Sequence, residues 1–293
     1  MHTRKLIIAL AACISACAPL TLDSAKPEPP SARAIVPIKA DRPLIALALG
    51  GGGARGFAHV GVIKALEAAG IVPDIVAGSS SGAIVAALYA GGYSGVELER
   101  MATELDQSAL VDFSLFGKGW VLGEALQDFI NGAVGNRPIE RLAKPFAVVA
   151  THARSGAMVV FNHGDTGLAV RASSTVPDLF VPPVIRGVEY LDGGLTSPVP
   201  VRVAKALGAD FVIAVDLTRY SRSRELAAAD LRDADVIIRP ATIRARLLDF
   251  TAKLQNIAAG EAAAREMAAH IAELISEAAR LKGARSGRVI PAT

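Results

Sequence analysis

The chain has 293 residues, 52% of them hydrophobic and 20% charged, with a formal net charge of +3. That balance suits one large globular domain with appendages and excludes a chain that is disordered throughout. Its two cysteines, Cys13 and Cys17, both lie near the N-terminus, so everything after them is without a disulfide or a thiol nucleophile.

The first predicted element is an apolar run. MHTRK precedes LIIALAACISAC, a basic start and a short hydrophobic stretch ended by small residues; this is the pattern of an export signal, and it is too short for a permanent membrane span. ISAC resembles the lipobox of bacterial lipoproteins, which implies a signal peptide over residues 1–16 and a lipid on Cys17. LAAC at Cys13 fits the same pattern but leaves a hydrophobic stretch of barely one turn. Removing Arg4 and Lys5 lowers the formal charge to +1, so the basic balance gives no argument for a nucleic-acid partner. Ala18, in place of an aspartate, implies by resemblance to enteric-type sorting rules the outer membrane rather than the inner one, and the expected location is the bacterial cell envelope, lipid-anchored at the outer membrane and facing the periplasm. Residues 17–43 are proline-rich and poor in aromatics, which predicts a mobile tether.

From Leu44 the pattern alternates. LIALAL reads as a buried parallel strand, GGGGARG as a turn, and Phe57 to Ala69 as a helix stopped by Gly70. DIVAG is the next strand, GSSSG the next turn, and a second helix ends at Gly91 and Gly92. Further strands are expected at Phe146 to Ala150, Ala157 to Phe161, Val188 to Leu191 and Phe211 to Asp216, with a helix at VRVAKALG. Strands alternating with helices predict a three-layer α/β/α domain over residues 44–220 with a mainly parallel sheet. Residues 221–293 read as a helical C-terminal extension, in which Met267, Ile271, Leu274, Ala278 and Leu281 form one apolar face for packing on the main domain.

Two glycine turns carry the chemistry. Gly78-Ser79-Ser80-Ser81-Gly82 fits G-x-S-x-G, in which the central serine stands at the apex of a sharp strand-to-helix turn and the flanking glycines allow the two elements to approach closely. The plainer alternative is a polar turn with a serine helix cap. Gly50 to Gly53, with Arg55 and Gly56, lies at an earlier turn of the same kind and exposes amides at a helix start. These glycines formally match the dinucleotide fingerprint, but Asp74 opens a strand where the ribose acid should close one. No Lys-Ser/Thr follows for a nucleotide phosphate loop. The other use is an oxyanion hole.

A serine nucleophile needs a base. His270 lies within the C-terminal amphipathic stretch, His59 beside the glycine loop suits packing or loop support, and His152 and His163 flank ATHARSGAMVVFNHG. None makes a convincing triad, although a histidine-based esterase stays open at this point. Asp192, in LDGG, ends a strand with Gly193 and Gly194 behind it; a carboxylate can act as the base if burial raises its proton affinity. A turn aspartate is the alternative.

GGGARG, GSSSG and DGG, in that order, together with GFAHVGVIKALEAAGI, VRASSTVPDLFVPP and DGGLTSPVPVRVAKALGADFVIAVDL, resemble the patatin-like phospholipases from about Leu44 to Asp216. The resemblance implies Ser80 as nucleophile, Asp192 as base in a dyad without histidine, and the backbone of Gly51, Gly52 and Gly53 as oxyanion hole. Arg55, Gly56, Gly78, Gly82, Gly193 and Gly194 would support these loops. It implies a lipid or other acyl-ester substrate and neither metal nor cofactor. Asp178 departs from the small residue that many relatives carry after VP. A non-catalytic lipoprotein that binds lipid or an envelope partner in the same pocket is the rival of a different class.

Overall fold

The computed structural model describes residues 27–107, 110–112, 120–244 and 246–286. Cys17 and the expected signal segment lie outside them. The core starts with β1 (Ile45–Leu49), whose last four residues are buried, followed by α1 (Phe57–Ala68), β2 (Ile75–Ser79) and α2 (Ser81–Gly91). Helices α3 (Gly95–Glu104) and α4 (Glu124–Ala133) come next, then β3 (Phe146–His152), β4 (Met158–Phe161) and α5 (Thr166–Ser173). The chain continues through β5 (Val184–Ile185), β6 (Val188–Asp192), α6 (Val201–Ala206), β7 (Phe211–Val215), α7 (Arg224–Asp230), β8 (Val236–Ile238) and α8 (Lys253–Ser286).

The sheet runs β5-β6-β3-β2-β1-β7-β8, with β4 also paired to β3. Strands β3, β2, β1, β7 and β8 are parallel to their neighbours in that order, while β4, β6 and β5 join antiparallel. Buried residues divide between the two faces. Leu47, Leu49, Val76 and Val148 pack with α1, α2 and α8; Ala46, Ala48, Ile75 and Ala147 pack with α6 and α7. Both faces being covered explains why the central strands read as unbroken apolar runs rather than alternating ones.

One register detail positions the chemistry. β2 pairs with β3 only as far as Ser79 opposite Val149, and β6 then pairs antiparallel with the overhang, placing Asp192 opposite Ala150. Since β4 occupies the other edge of β3 over the same residues, β6 takes the edge that β2 leaves. The ends of β2 and β6 therefore converge.

Two expectations change. The stretch after residue 220 includes a C-terminal helix, but it is no appendage: β8 extends the sheet, and α8 crosses α1 at a glycine pair. A Cβ on Gly61 would lie 1.9 Å from the Ile257 carbonyl oxygen, and one on Gly260 would lie 1.9 Å from that of Ala58. No side chain fits between those backbones. Of the expected apolar face, Ile271 is buried and Met267, Leu274 and Ala278 pack against the core, while Leu281 is exposed. The described part of the tether, residues 27–43, is likewise strapped to the domain. Ser31 pairs with His163, Glu28 accepts from the Asp165 amide at 2.7 Å, and Ile38 donates to Leu207 at 2.9 Å. Its prolines suit an extended strap whose hydrogen bonds come from the residues between them.

Candidate active site

The three serines of GSSSG have three different surroundings. Ser79 ends β2 and is buried, with no partner for its hydroxyl among the described residues. Ser81 begins α2, and its hydroxyl accepts the Gly52 amide at 3.0 Å. Ser80, between them, has φ 53° and ψ −128°, a left-handed conformation that a non-glycine residue adopts at a cost. That twist turns its side chain out of both elements. The Ser80 hydroxyl donates to Asp192 Oδ2 at 2.6 Å, and its amide donates to the Ser173 hydroxyl at 2.9 Å.

The glycines on either side are steric requirements. A Cβ at Gly78 would lie 2.5 Å from Ala83 Cα, and one at Gly82 would lie 2.1 Å from the Leu49 carbonyl oxygen. Gly193 is held the same way, its missing Cβ 2.2 Å from the Val149 carbonyl oxygen.

Asp192 is fixed at every polar atom of its backbone and side chain. Its amide donates to the Thr175 carbonyl at 2.8 Å, its carbonyl accepts from the Thr151 hydroxyl at 2.8 Å, and Oδ1 accepts the Gly194 amide at 2.7 Å. Oδ2 is left facing Ser80. Burial pushes the carboxyl up to about 6, against the lowering by its hydrogen bonds from Ser80 and Gly194. A carboxylate held that high is a competent proton acceptor near neutral pH.

The first glycine turn corrects part of the expected oxyanion hole. The Gly51 amide is engaged with the Pro198 carbonyl at 2.9 Å and the Gly52 amide with Ser81. Gly53 (φ 58°) has no partner for its amide among the described residues, and it lines the same cavity as Ser80. Gly51 and Gly52 shape the loop: a Cβ on Gly51 would lie 3.1 Å from Ser80 Cβ. Arg55 folds back to donate through Nε to the Gly52 carbonyl at 3.0 Å and lies 5.7 Å from the centre of the Tyr220 ring. Its guanidinium is lowered by burial, partly offset by Tyr220 and Asp216. Gly56 packs on Ser81, where a Cβ would come within 2.7 Å.

The described histidines do not assemble a triad. His59 is fully buried and holds the Gly50 carbonyl at 2.7 Å; burial depresses it to about 4, so it is the neutral ring whose Nε2–H donates. His152 accepts from the Arg154 and Ser155 amides, His163 contacts Asn162, and His270 lies exposed on α8. None touches Ser80 or Asp192. Asp74 pairs with Arg42 at the opposite, N-terminal end of β2, away from the glycine loop.

Beside the Ser80 hydroxyl opens a cavity with about 930 Å³ of empty space, part of it open to solvent. Val60, Ile84, Leu98, Met101, Phe129 and Phe180 are among its walls, and among the described residues its lining includes no charged side chain; Ser80, Ser81 and Ser174 are the polar ones. The sequence reading missed Ser173 and Ser174, although RASSTVP was in view, because a serine's partner is set by the tertiary fold. It also missed the cover that Leu247, Leu248 and Phe250 place over the cavity from the C-terminal segment.

An elbow serine bonded to a buried aspartate thus stands at the end of a mainly parallel sheet that is covered on both faces. The patatin-like phospholipase family model matches residues 47–205, more than half of the chain, and the chain belongs to that family. Over 178 residues it is 39% identical to an uncharacterized NTE family protein of Mycobacterium tuberculosis, covering 60% of this chain and 49% of that one. Over 182 residues it is 36% identical to human patatin-like phospholipase domain-containing protein 6, covering 59% of this chain and 13% of that one. The chain thus spans half or less of the curated relatives it matches. Its fold is similar to that of VipD from Legionella pneumophila, with a TM-score of 0.55 at 13% identity over 83% of this chain and 70% of that one.

Proposed function

We propose that this chain is a lipid acyl hydrolase of the phospholipase A type, working through a Ser80–Asp192 dyad. The observation that carries the reading is the 2.6 Å hydrogen bond between Ser80 and a buried carboxylate, beside a cavity whose described walls carry no charge. A fatty-acyl chain fills such a cavity at no electrostatic cost, and its ester carbonyl then meets Ser80 at the polar end.

Ser80 Oγ attacks the carbonyl carbon as Asp192 Oδ2 takes its proton. The negative charge on the carbonyl oxygen is stabilised by the Gly53 N–H and by the positive end of α2. Collapse breaks the ester C–O bond, and the proton held on Asp192 passes to the departing alkoxide. Water then gives a proton to Asp192 as it attacks the acyl-serine, which releases the fatty acid and restores the Ser80 hydroxyl. Family membership supports this chemistry, as does the rise in Asp192 proton affinity.

Turnover of a chromogenic acyl ester and of phospholipid vesicles by the wild type, Ser80→Ala and Asp192→Asn tests the reading. Wild-type rates in either variant sink the dyad. Lipid profiling of the released products then assigns the acyl position.

We further propose a lipid anchor on Cys17 that holds the domain at a bacterial envelope membrane, on the periplasmic side of the outer membrane. Incorporation of labelled palmitate by the wild type and its loss in Cys17→Ser is the expected result; equal labelling of both, or of neither, removes the anchor.

A further inference from the structure

Residues 206 onward lie beyond the family match, yet α7 sends a carboxylate toward the active site. Asp230 is fully buried. Its Oδ2 accepts the Ser197 hydroxyl at 2.9 Å and the Val199 amide at 3.2 Å; its Oδ1 accepts from the Arg202 guanidinium at 3.4 Å, whose side chain is 64% exposed. A carboxylate buried against one exposed cation costs stability unless its hydrogen bonds are well made. The two partners of its Oδ2, Ser197 and Val199, belong to one turn.

That turn joins the two halves of the site. The Ser197 amide donates to the Gly193 carbonyl at 2.9 Å, next to Asp192. The Pro198 carbonyl accepts the Gly51 amide at 2.9 Å, and Val199 Cγ2 lies 3.0 Å from where a Gly50 Cβ would be. The base and the glycine loop therefore hang from a three-residue turn that Asp230 grips by a side chain and by the backbone.

We infer that Asp230 is a positioning residue for the hydrolytic site: through Ser197 and Val199 it keeps the Asp192 loop and the glycine loop in mutual register. This rests on the dyad reading above. Asp230 touches no reacting atom, so its removal acts on geometry, where displacements near an ångström cost about 100-fold in rate.

The test compares Asp230→Ala, Asp230→Asn and Ser197→Ala with the wild type in ester turnover and in amide hydrogen exchange. In Asp230→Ala, kcat is expected to fall about 10- to 100-fold with KM within about twofold, the signature of lost transition-state alignment. Exchange at Gly51 and Ser197 should quicken by about tenfold or more, with the α1 amides unchanged. Asp230→Asn keeps an oxygen for Ser197 and Val199 and is expected within about threefold of wild type. Ser197→Ala, which removes one of the two bonds, should lose about 3- to 10-fold in kcat and covers the case in which Asp230→Ala does not fold. Unchanged kcat in folded Asp230→Ala or in Ser197→Ala, or losses that vanish after scaling to the folded fraction, overturn the inference. A wild type without Ser80-dependent turnover overturns the dyad reading, and this inference with it; normal turnover that is indifferent to residues 230 and 197 overturns this inference alone.

Discussion

The glycine turns after β1 and β2 look alike in sequence, each a short apolar strand, a glycine cluster and a helix, but their glycines answer to different neighbours. In the second turn the missing Cβ atoms face backbone, Ala83 at Gly78 and Leu49 at Gly82. In the first, Gly51 and Gly52 face side chains, Ser80 and Leu217, while Gly50 meets the Val215 carbonyl oxygen and Gly53 meets both side chain and backbone of Leu247. Backbone does not yield and side chains do. The second turn is thus built to force Ser80 into its strained conformation, while the first is built to bring a loop close to it. Gly78 and Gly82 serve the fold, whereas Gly51 and Gly52 serve access.

The largest effects should separate chemistry from folding within the second turn. Ser80→Ala removes the proposed nucleophile and leaves the glycines alone, so ester turnover should fall by about 10⁴-fold or more with the thermal midpoint near that of the wild type. Asp192→Asn should cost a similar factor, because the amide cannot take the proton. Gly82→Ala does the reverse. With a methyl 2.1 Å from the Leu49 carbonyl oxygen, β1 and α2 cannot both keep their places, and a loss of about 3 kcal/mol or more is expected in chemical denaturation. A well-folded Gly82→Ala protein would remove the steric argument.

Acid titration sharpens the contrast, since each turn has its own buried group. Asp192, beside Ser80, is raised from 3.8 to about 6; the folded state therefore holds a proton that the unfolded chain has lost, and this contribution is full below pH 3.8 and gone as pH rises through 6. His59, under Gly50, is lowered from 6.5 to about 4; its contribution is full above pH 6.5 and lost as pH falls through 4. Each amounts to about 3 kcal/mol, and between pH 4 and 6 they oppose. Asp192→Asn should accordingly gain on the wild type by about 3 kcal/mol between pH 4 and pH 7. In the wild type kcat/KM should fall below about pH 6 as Asp192 takes up its proton. A rate that stays level down to pH 4.5 would mean that Asp192 is not the base.

How much of this could be read from the sequence follows the same division. Local chemistry was legible: the GSSSG elbow, the DGG turn and the parallel run from β1 to α2 depend on neighbours a few residues apart. The Ser80–Asp192 pairing was reached through family resemblance, since the residues stand 112 positions apart and only the handover of the β3 edge from β2 to β6 unites them. The amide partners of Gly51 and Gly52 were out of reach, because Pro198 and Ser81 compete for donors that the pattern alone assigns to substrate. The C-terminal segment misled for a related reason. Its alanine-rich composition signals a helix, whereas the glycine crossing of Gly61 with Gly260 and the grip of Asp230 are contacts between distant positions. Asp178, the departure from the family pattern, has φ 66°. Aspartate tolerates that left-handed region better than most residues other than glycine.

The smallest expected effect bears most directly on the difference between the turns. Gly51 carries no positive φ, and the nearest atoms to a Cβ there are Ser80 Cβ at 3.1 Å, the Ser79 carbonyl oxygen at 3.7 Å and Ser80 Oγ at 3.8 Å. Gly51→Ala should therefore fold, with a stability cost below about 1 kcal/mol. The methyl presses on Ser80 itself, and relief requires a shift of a few tenths of an ångström in the side chain whose hydroxyl must stay 2.6 Å from Asp192. Turnover should fall about tenfold, with KM little changed, because the cavity walls are untouched. Steady-state kinetics alongside a denaturation curve reads both quantities. If Gly51→Ala loses as much stability as Gly82→Ala, the first turn is as rigidly packed as the second and its glycines are structural after all; if it keeps wild-type turnover, the loop stands further from the nucleophile than its 3.1 Å contact implies.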